Sequence, residues 1–368
     1  MKFKSLALVS VLFSASALSY EVDLGVAADY NIFVQNDFTH TGWADSQGKI
    51  AVGGNASLDN YDVAVNFSST EGRDGVQFWQ GETGYADVLV VQGDLSTNRN
   101  SNQIKGNLVL GGDLYKQGSL VNDIDALPSW ENPVNGEVFS YEHNPINFDT
   151  AFAALNKLSE DLANMANTGN LVAEGNEHWT STSGFIFTPD QALVDEAGAF
   201  IATIDGETLK NAADFKSVNL DANTPIIINV SGKNVSFDSV NYYDNLAQSY
   251  AGPYDTSRTD KKSPSSILYN FYEAESIEFS GGFMGHILAP KADFSYLGGD
   301  LSGQLIAKSM TSNAQMNLWQ GLYDEPTIGG TPVVSEPQTI AFFLLLAGYL
   351  VINRKKLVAT PKVTLAAA

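Results

Sequence analysis

Three short apolar runs in the first third of the chain share one pattern: Ile50-Ala-Val-Gly-Gly-Asn55, Leu89-Val-Val-Gln-Gly-Asp94 and Leu108-Val-Leu-Gly-Gly-Asp113. Each reads as a strand that runs into a turn made by glycine and Asn or Asp. Their starts lie 39 and 19 residues apart. That spacing reads as two rungs and then one rung of a stacked repeat, the intervening rung passing through Val63–Phe67. A second block repeats the theme: Gly285-His-Ile-Leu-Ala289 and Gly303-Gln-Leu-Ile-Ala307 are 18 residues apart, after strand-like Ile226–Val230, Ile267–Phe271 and Ile277–Phe279.

Between the blocks the period changes. Phe148, Phe152, Leu155, Leu158, Leu162 and Met165 are three and four residues apart, which predicts an amphipathic helix over 148–166. Asn147 or Asp149 caps its start, Glu160 and Asp161 face solvent, and Gly169 supplies a stop. Its apolar stripe has to pack along the flank of the β-structure. The fold expected is mainly β, a β-solenoid with one amphipathic helix alongside, since a short rung exposes an apolar face that only the next rung buries. A β-sandwich is the alternative, but it gives no reason for near-identical strand-turn motifs at a regular offset.

The ends of the chain are of another kind. Lys2 and Lys4, an apolar run Leu6–Leu18 and the small residues Ala17 and Ser19 form a signal-peptide pattern, with cleavage expected after Ser19. Residues 20–323 form the β-rich extracellular domain, and 324–337, rich in Gly, Pro, Thr and Ser, read as a linker. Residues 338–356 hold the apolar run Ile340–Ile352 and the basic cluster Arg354, Lys355 and Lys356, and 357–368 form a last tail. The apolar run is short for an independent membrane span, which takes about 20 residues. The basic cluster would hold the C-terminus in the cytoplasm.

Composition narrows the partners. The chain has no cysteine, so the exported fold is held by packing without disulfides. It carries 20 Lys+Arg against 42 Asp+Glu, a net charge of −22, and loss of Lys2 and Lys4 makes the exported form more acidic still. Nucleic acid is excluded as a partner on that charge.

Leu24-Gly-Val-Ala-Ala-Asp-Tyr-Asn-Ile-Phe33, Asp37-Phe-Thr39, Gly48-Lys-Ile-Ala-Val-Gly-Gly-Asn55, the 148–166 helix and His286-Ile-Leu-Ala-Pro-Lys-Ala292 together resemble the choice-of-anchor A family of bacterial surface proteins, over about 24–320. The resemblance implies an adhesive extracellular module joined to an anchoring signal, with no catalytic residue to carry over. The C-terminal end is similar to the PEP-CTERM sorting signal of Gram-negative bacteria, with Glu336, Pro337, the apolar run and Arg354–Lys356 in the matching places. Ser335 stands where that signal has its first proline, and residues 357–368 run past its usual end. That resemblance implies an exosortase-type enzyme as a partner; retention as a membrane anchor is the other outcome. The Gly285–Ser309 rungs are also similar to secreted ice-binding β-solenoids, but Lys291, Asp293, Tyr296 and Lys308 stand there in place of a threonine ladder.

Candidate chemistry is sparse. Asp94 and Asp113 hold equivalent positions on neighbouring rungs, where Ca²⁺ would relieve their repulsion; the favoured reading of the two is as plain turn formers, with at most weak calcium binding. No other cofactor is implied. His40, His143, His178 and His286 are scattered without an H-E-x-x-H pair, and the nucleophile-elbow, Walker A and dinucleotide motifs are missing. Tyr242, Tyr243, Tyr250, Tyr254, Tyr269 and Tyr272 surround a polar loop, Asp244–Ser266, that includes Arg258, Lys261 and Lys262. Tyr242, Tyr243, Tyr250, Tyr254 and Arg258 are the candidate ligand contacts, since tyrosine joins a flat apolar body to a hydroxyl handle. The function expected is a non-enzymatic surface or matrix adhesin for an extracellular polysaccharide or surface protein. The alternatives are a polysaccharide-degrading β-helix enzyme and an ice-binding solenoid.

Overall fold

The computed structural model describes residues 19–65, 86–98, 103–129, 131–174, 183–210, 212–217, 220, 224–243, 267–318, 323 and 326–329. Its strands stack in parallel register into a three-faced β-solenoid, called here faces A, B and C.

Face A is built in the spatial order 200–205, 226–231, 267–270, 286–289, 305–307, 32–34, 50–52, 89–91, 108–110 and 138–140, every neighbour parallel. The chain therefore enters the stack in its middle, at Ile32–Val34. It builds outward to Val138–Ser140, returns along the flank as a helix, and restarts at the far end with Phe200–Asp205. From there it fills back until Leu305–Ala307 pairs with Ile32–Val34. This pairing is the seam between the two halves.

Face B runs 234–237, 276–279, 293–296, 309–312, 38–40, 56–58, 95–97 and 114–116. Face C joins 283–284, 300–302 and 315–317, then passes through the bridge Ser46–Met316 to 61–62, Val63, Ile104 and Val134. A separate sheet of 169–174, 183–189, 212–217 and 241–243 lies at the restart end.

The burial pattern explains why the strand sequences differ. Face-A strands such as Ile50-Ala-Val52 and Ile226-Ile-Ile228 are buried on both sides, as parallel strands covered on both faces are. Their inward residues join the central core and their outward residues meet the helix. Face-B strands alternate instead: in Phe38-Thr-His40 and Ala56-Ser-Leu58 the middle residue is exposed.

Helix α1 spans Phe148–Ala163, and the Asn147 side chain caps it by accepting from the Thr150 amide at 2.9 Å. Phe148, Phe152, Leu155, Leu158 and Leu162 are buried against Phe33, Ala51, Val90 and Ile227 of face A. The C-cap is Asn164, and Gly169 opens the next strand in place of the stop expected from it. Polar side chains pin α1 as well. Ser159 Oγ donates to Asn270 Oδ1 at 2.5 Å, and Asn270 Nδ2 donates to both the Ser159 carbonyl and Asn229 Oδ1 at 2.8 Å. Asn229 Nδ2 in turn donates to the Leu162 carbonyl at 2.9 Å.

One rung expectation is corrected. Ile50–Val52 pairs directly with Leu89–Val91, so no rung lies between them, and Val63 sits on face C bridged to Ile104. The 39-residue offset therefore spans a single rung, and residues 66–85 within it lie outside the described residues. At the other end, Thr327–Gly329, within the segment read as a linker, pairs antiparallel with Ser19–Glu21.

Buried amides stitch the seam. Asn31 Nδ2 donates to the Gly303 carbonyl at 2.7 Å, and Gln304 Nε2 donates to the carbonyls of Ala28 and Tyr30 at 2.8 Å. Gln47 Oε1 accepts from the Leu318 amide at 2.7 Å. Gly303 itself adopts φ +152°, and a β-carbon there would lie 1.9 Å from the Gly285 carbonyl oxygen. Only glycine permits the rungs to approach at this point.

Candidate ligand-binding surface

The outward residues of face B form columns, because parallel register puts equivalent residues about 4.8 Å apart on successive rungs. The middle column reads Ser236, Glu278, Ser295, Thr311, Thr39, Ser57, Ser96 and Tyr115. Its centre, Ser295 to Ser96, is an unbroken ladder of hydroxyls that crosses the seam. Ser295 Oγ and Thr311 Oγ1 are 3.2 Å apart, in hydrogen-bond contact.

The column beside it is locked by its own hydrogen bonds. Asp37 Oδ1 accepts from the Asn55 amide at 2.7 Å, Asn55 Oδ1 from the Asp94 amide at 2.9 Å, and Asp94 Oδ1 from the Asp113 amide at 2.8 Å. Toward the other end Ser309 Oγ donates to Asp293 Oδ1 at 2.7 Å, and Ser276 Oγ donates to Asn234 Oδ1 at 2.8 Å. The Ser309 hydroxyl, then Lys308, hold the Asp293 carboxyl below its ordinary pKa. Side chains tied rung to rung in this way lose little freedom on meeting a ligand.

Asp94 and Asp113 are thus brought onto adjacent rungs, as their spacing implied. Asp94 already spends one carboxylate oxygen on the next rung's backbone. Among the described residues no three acidic or histidine side chains group as a metal would need. Burial pushes His40 down to about 4 and His286 down to about 3, so both are neutral core residues near pH 7. His143 instead lies 3.4 Å from Asp87 and stacks on Phe139 at the flank of face A.

Of the tyrosine cluster, Tyr242 and Tyr243 lie on strand Asn241–Tyr243, while Tyr250, Tyr254 and Arg258 fall outside the described residues. Tyr269 points into the core, 4.6 Å from the Phe283 ring. Glu336, Pro337, Arg354, Lys355 and Lys356 also fall outside the described residues.

Within Gly285–Ser309 the residues are mixed, with no threonine ladder, and the hydroxyl column gathers serines and threonines from both blocks. Tyr296 is buried, Lys291 pairs with Glu160 of α1 at 2.8 Å, and Lys308 pairs with Asp293 at 3.2 Å at the edge of the face. None of these three occupies the middle column. A signal was present in the sequence: Thr39, Ser57 and Ser96 each follow an inward face-A residue, Ile32, Ile50 and Leu89, by seven positions.

The described residues thus form a β-solenoid with a hydroxyl column on face B. Residues 23–318 match the family described as "Putative Ice-binding-like adhesive domain", and the chain belongs to that family. Among solved structures it is similar to an ice-binding protein from an Antarctic Biological Consortium, at 12% identity over 84% of this chain and 94% of that one, TM-score 0.36. It is also similar to an ice-binding protein of the ascomycete Antarctomyces psychrotrophicus, at 12% identity over 81% and 98%, TM-score 0.33. A third, the ice-binding protein LeIBP of an Arctic yeast, shares 10% identity over 80% and 93%, TM-score 0.36. No curated protein matches the sequence. No helix among the described residues is long and apolar enough to cross a membrane.

Proposed function

We propose that this chain is an exported, non-catalytic adhesive protein whose ligand surface is face B and whose ligand is ice. The observation that carries the reading is the hydroxyl ladder Ser295, Thr311, Thr39, Ser57 and Ser96. It presents short donor-acceptor groups at one fixed spacing on a flat sheet, with a neighbouring column already immobilised. An ordered water lattice requires matching of that kind, because every rotamer left free has to be frozen on binding. Family membership supports the adhesive part.

The remaining parts of the reading rest on sequence. The signal peptide exports the chain, and the PEP-CTERM-like tail delivers it to the envelope of a Gram-negative cell for exosortase processing or membrane retention, as in choice-of-anchor A proteins. Calcium is not required in this reading. The loop bordered by Tyr242, Tyr243, Tyr250, Tyr254 and Arg258 is proposed as a secondary adhesive surface.

The test is thermal hysteresis and partition into growing ice by the purified full chain. The wild type is expected to do both, and Thr39→Tyr and Ser96→Tyr to lose most of each with unchanged unfolding midpoints. A wild type that neither shapes nor enters ice would sink the ice reading.

A further inference from the structure

The repeated motif Gly53-Gly-Asn55, Gln92-Gly-Asp94 and Gly111-Gly-Asp113 makes the corner where face A turns into face B, and the hydroxyl ladder uses none of its residues. At this corner side chains stand in for backbone acceptors. The Asp37 carbonyl accepts from the Met310 amide of the preceding rung at 3.0 Å, and the Asn55 amide turns to Asp37 Oδ1, at 2.7 Å. One rung on, the Asn55 carbonyl accepts from the Phe38 amide at 2.9 Å, and the Asp94 amide turns to Asn55 Oδ1, at 2.9 Å. Each acceptor thus satisfies a main-chain donor that the turn would otherwise leave over.

The glycines make room for these acceptors. A β-carbon on Gly54 would lie 2.3 Å from Asp37 Oδ1, and one on Gly93 would lie 2.4 Å from Asn55 Oδ1. A side chain at either position would evict the acceptor carried by the rung before. In the second block the same column is joined differently, side chain to side chain, with Ser309 donating to Asp293 and Ser276 to Asn234.

We propose that Asp37 and Asn55 are positioning residues of the face-B ligand surface: Asp37 fixes Thr39 against Ser57, and Asn55 fixes Ser57 against Ser96. Each hydroxyl stands two residues after a member of the corner column, Thr39 after Asp37, Ser57 after Asn55 and Ser96 after Asp94. The strands between them pair over three residues only, without a register shift. Neighbouring strands twist by roughly 20–25° unless a side-chain ladder or stacking opposes it, and that twist would carry successive hydroxyls off one line. A bond from each side chain to the next rung's backbone, at the end of so short a strand, opposes the rotation where it begins. The role rests on face B being the ligand surface, and it names the residues that set the repeat a periodic ligand would meet.

The test is ice partition by the purified full chain and its variants. Asn55→Ala is expected to lower partition about fivefold, the weight of one hydrogen bond. Asn55→Asp should restore most of it, since a carboxylate accepts the same amide, as Asp94 does on the next rung. Asp37→Ala should act like Asn55→Ala, through Thr39 and Ser57. Ser239→Ala is the comparison: Ser239 Oγ accepts from the Gly282 amide at 2.9 Å, a bond of the same kind between rungs outside the hydroxyl run. Its loss should change the unfolding midpoint by a similar amount and leave ice partition intact. Full partition by Asn55→Ala and Asp37→Ala, or an equal loss in Ser239→Ala, overturns the positioning role. If the wild type ignores ice, the ice reading falls and the spacing is measured directly. The chain has no cysteine, so disulfide closure between Ser57→Cys and Ser96→Cys in a glutathione buffer reports how tightly the two positions are held. Adding Asn55→Ala should lower the effective concentration of that pair about fivefold, and adding Ser239→Ala should not. An unchanged value with Asn55→Ala overturns the role whatever the ligand.

Discussion

In the C-terminal half of the solenoid the inward column of face B is a stack of rings, Phe237, Phe279 and Tyr296, with successive centroids 4.7 and 4.9 Å apart. Past the seam the same column continues as His40, Leu58, Thr97 and Lys116, all buried. The register is identical and the filling differs. At the N-terminal half's outer end the polar members are matched inside the fold: Thr97 Oγ1 donates to Gln103 Oε1, and Lys116 Nζ lies 3.2 Å from Glu131. Residues 119–129 fold over that end, with Ser119–Leu120 pairing antiparallel to Tyr115–Lys116 and Ile124 packing on the core. A rung without a further neighbour needs such a lid, since an open parallel edge invites other strands. The outer column is continuous in hydroxyls only from Ser295 to Ser96, across the seam; over the ring stack it includes Glu278, and beside Lys116 it is Tyr115.

The comparison breaks first at the ring stack. Phe279→Ala is expected to destabilise the fold by about 3–5 kcal/mol, whereas Thr97→Val should cost only about 1 kcal/mol; urea unfolding of both variants measures the ratio. Similar losses would mean that both halves are packed alike.

Acid should strike both halves, because each holds one buried neutral histidine. With His286 lowered to about 3 and His40 to about 4 in the folded state, the unfolded chain takes up protons that the folded chain refuses. The stability they contribute is complete above about pH 6.5 and is lost as pH falls from there toward those values. The slope is roughly 1.4 kcal/mol per pH unit for each histidine. His286→Gln should flatten the stability profile between pH 6.5 and 4. An unaltered profile would assign the acid sensitivity to carboxylates instead.

The smallest effect is expected in the surface column. Asp94→Ala removes the acceptor for the Asp113 amide, and water replaces it, so the loss should be about 0.5–1 kcal/mol. A drop of several kcal/mol on chemical denaturation would show that the ladder, rather than the core, carries the N-terminal half.

Much of this was legible in the residues. The face-A strands, the 18- and 19-residue offsets at Ile287/Leu305 and Leu89/Leu108 and the stripe of α1 are local signals, and the structure contains them. The 39-residue offset misled, because an excursion within one rung and an added rung look alike in sequence. The candidate surface was missed for a different reason. Thr39, Ser57 and Ser96 come from one block and Ser295 and Thr311 from the other, and each alone is an ordinary exposed polar residue on an alternating strand.

What the sequence determined by itself was the set of parts: short strands that must stack, a helix with one apolar side, an acidic and cysteine-free exterior. Those follow from periodicity and composition, which act over a few residues at a time. The tertiary structure alone decided that the chain enters the stack in its middle and that Ile32–Val34 meets Leu305–Ala307. Asn31 and Gln304 became the stitches of that seam, and the hydroxyls of two distant blocks became one column. The physical reason is that a rung's apolar edge can be buried by any rung of matching register, so sequence order does not dictate spatial order. Only the return path of α1 along face A brings the second block round to close on the first.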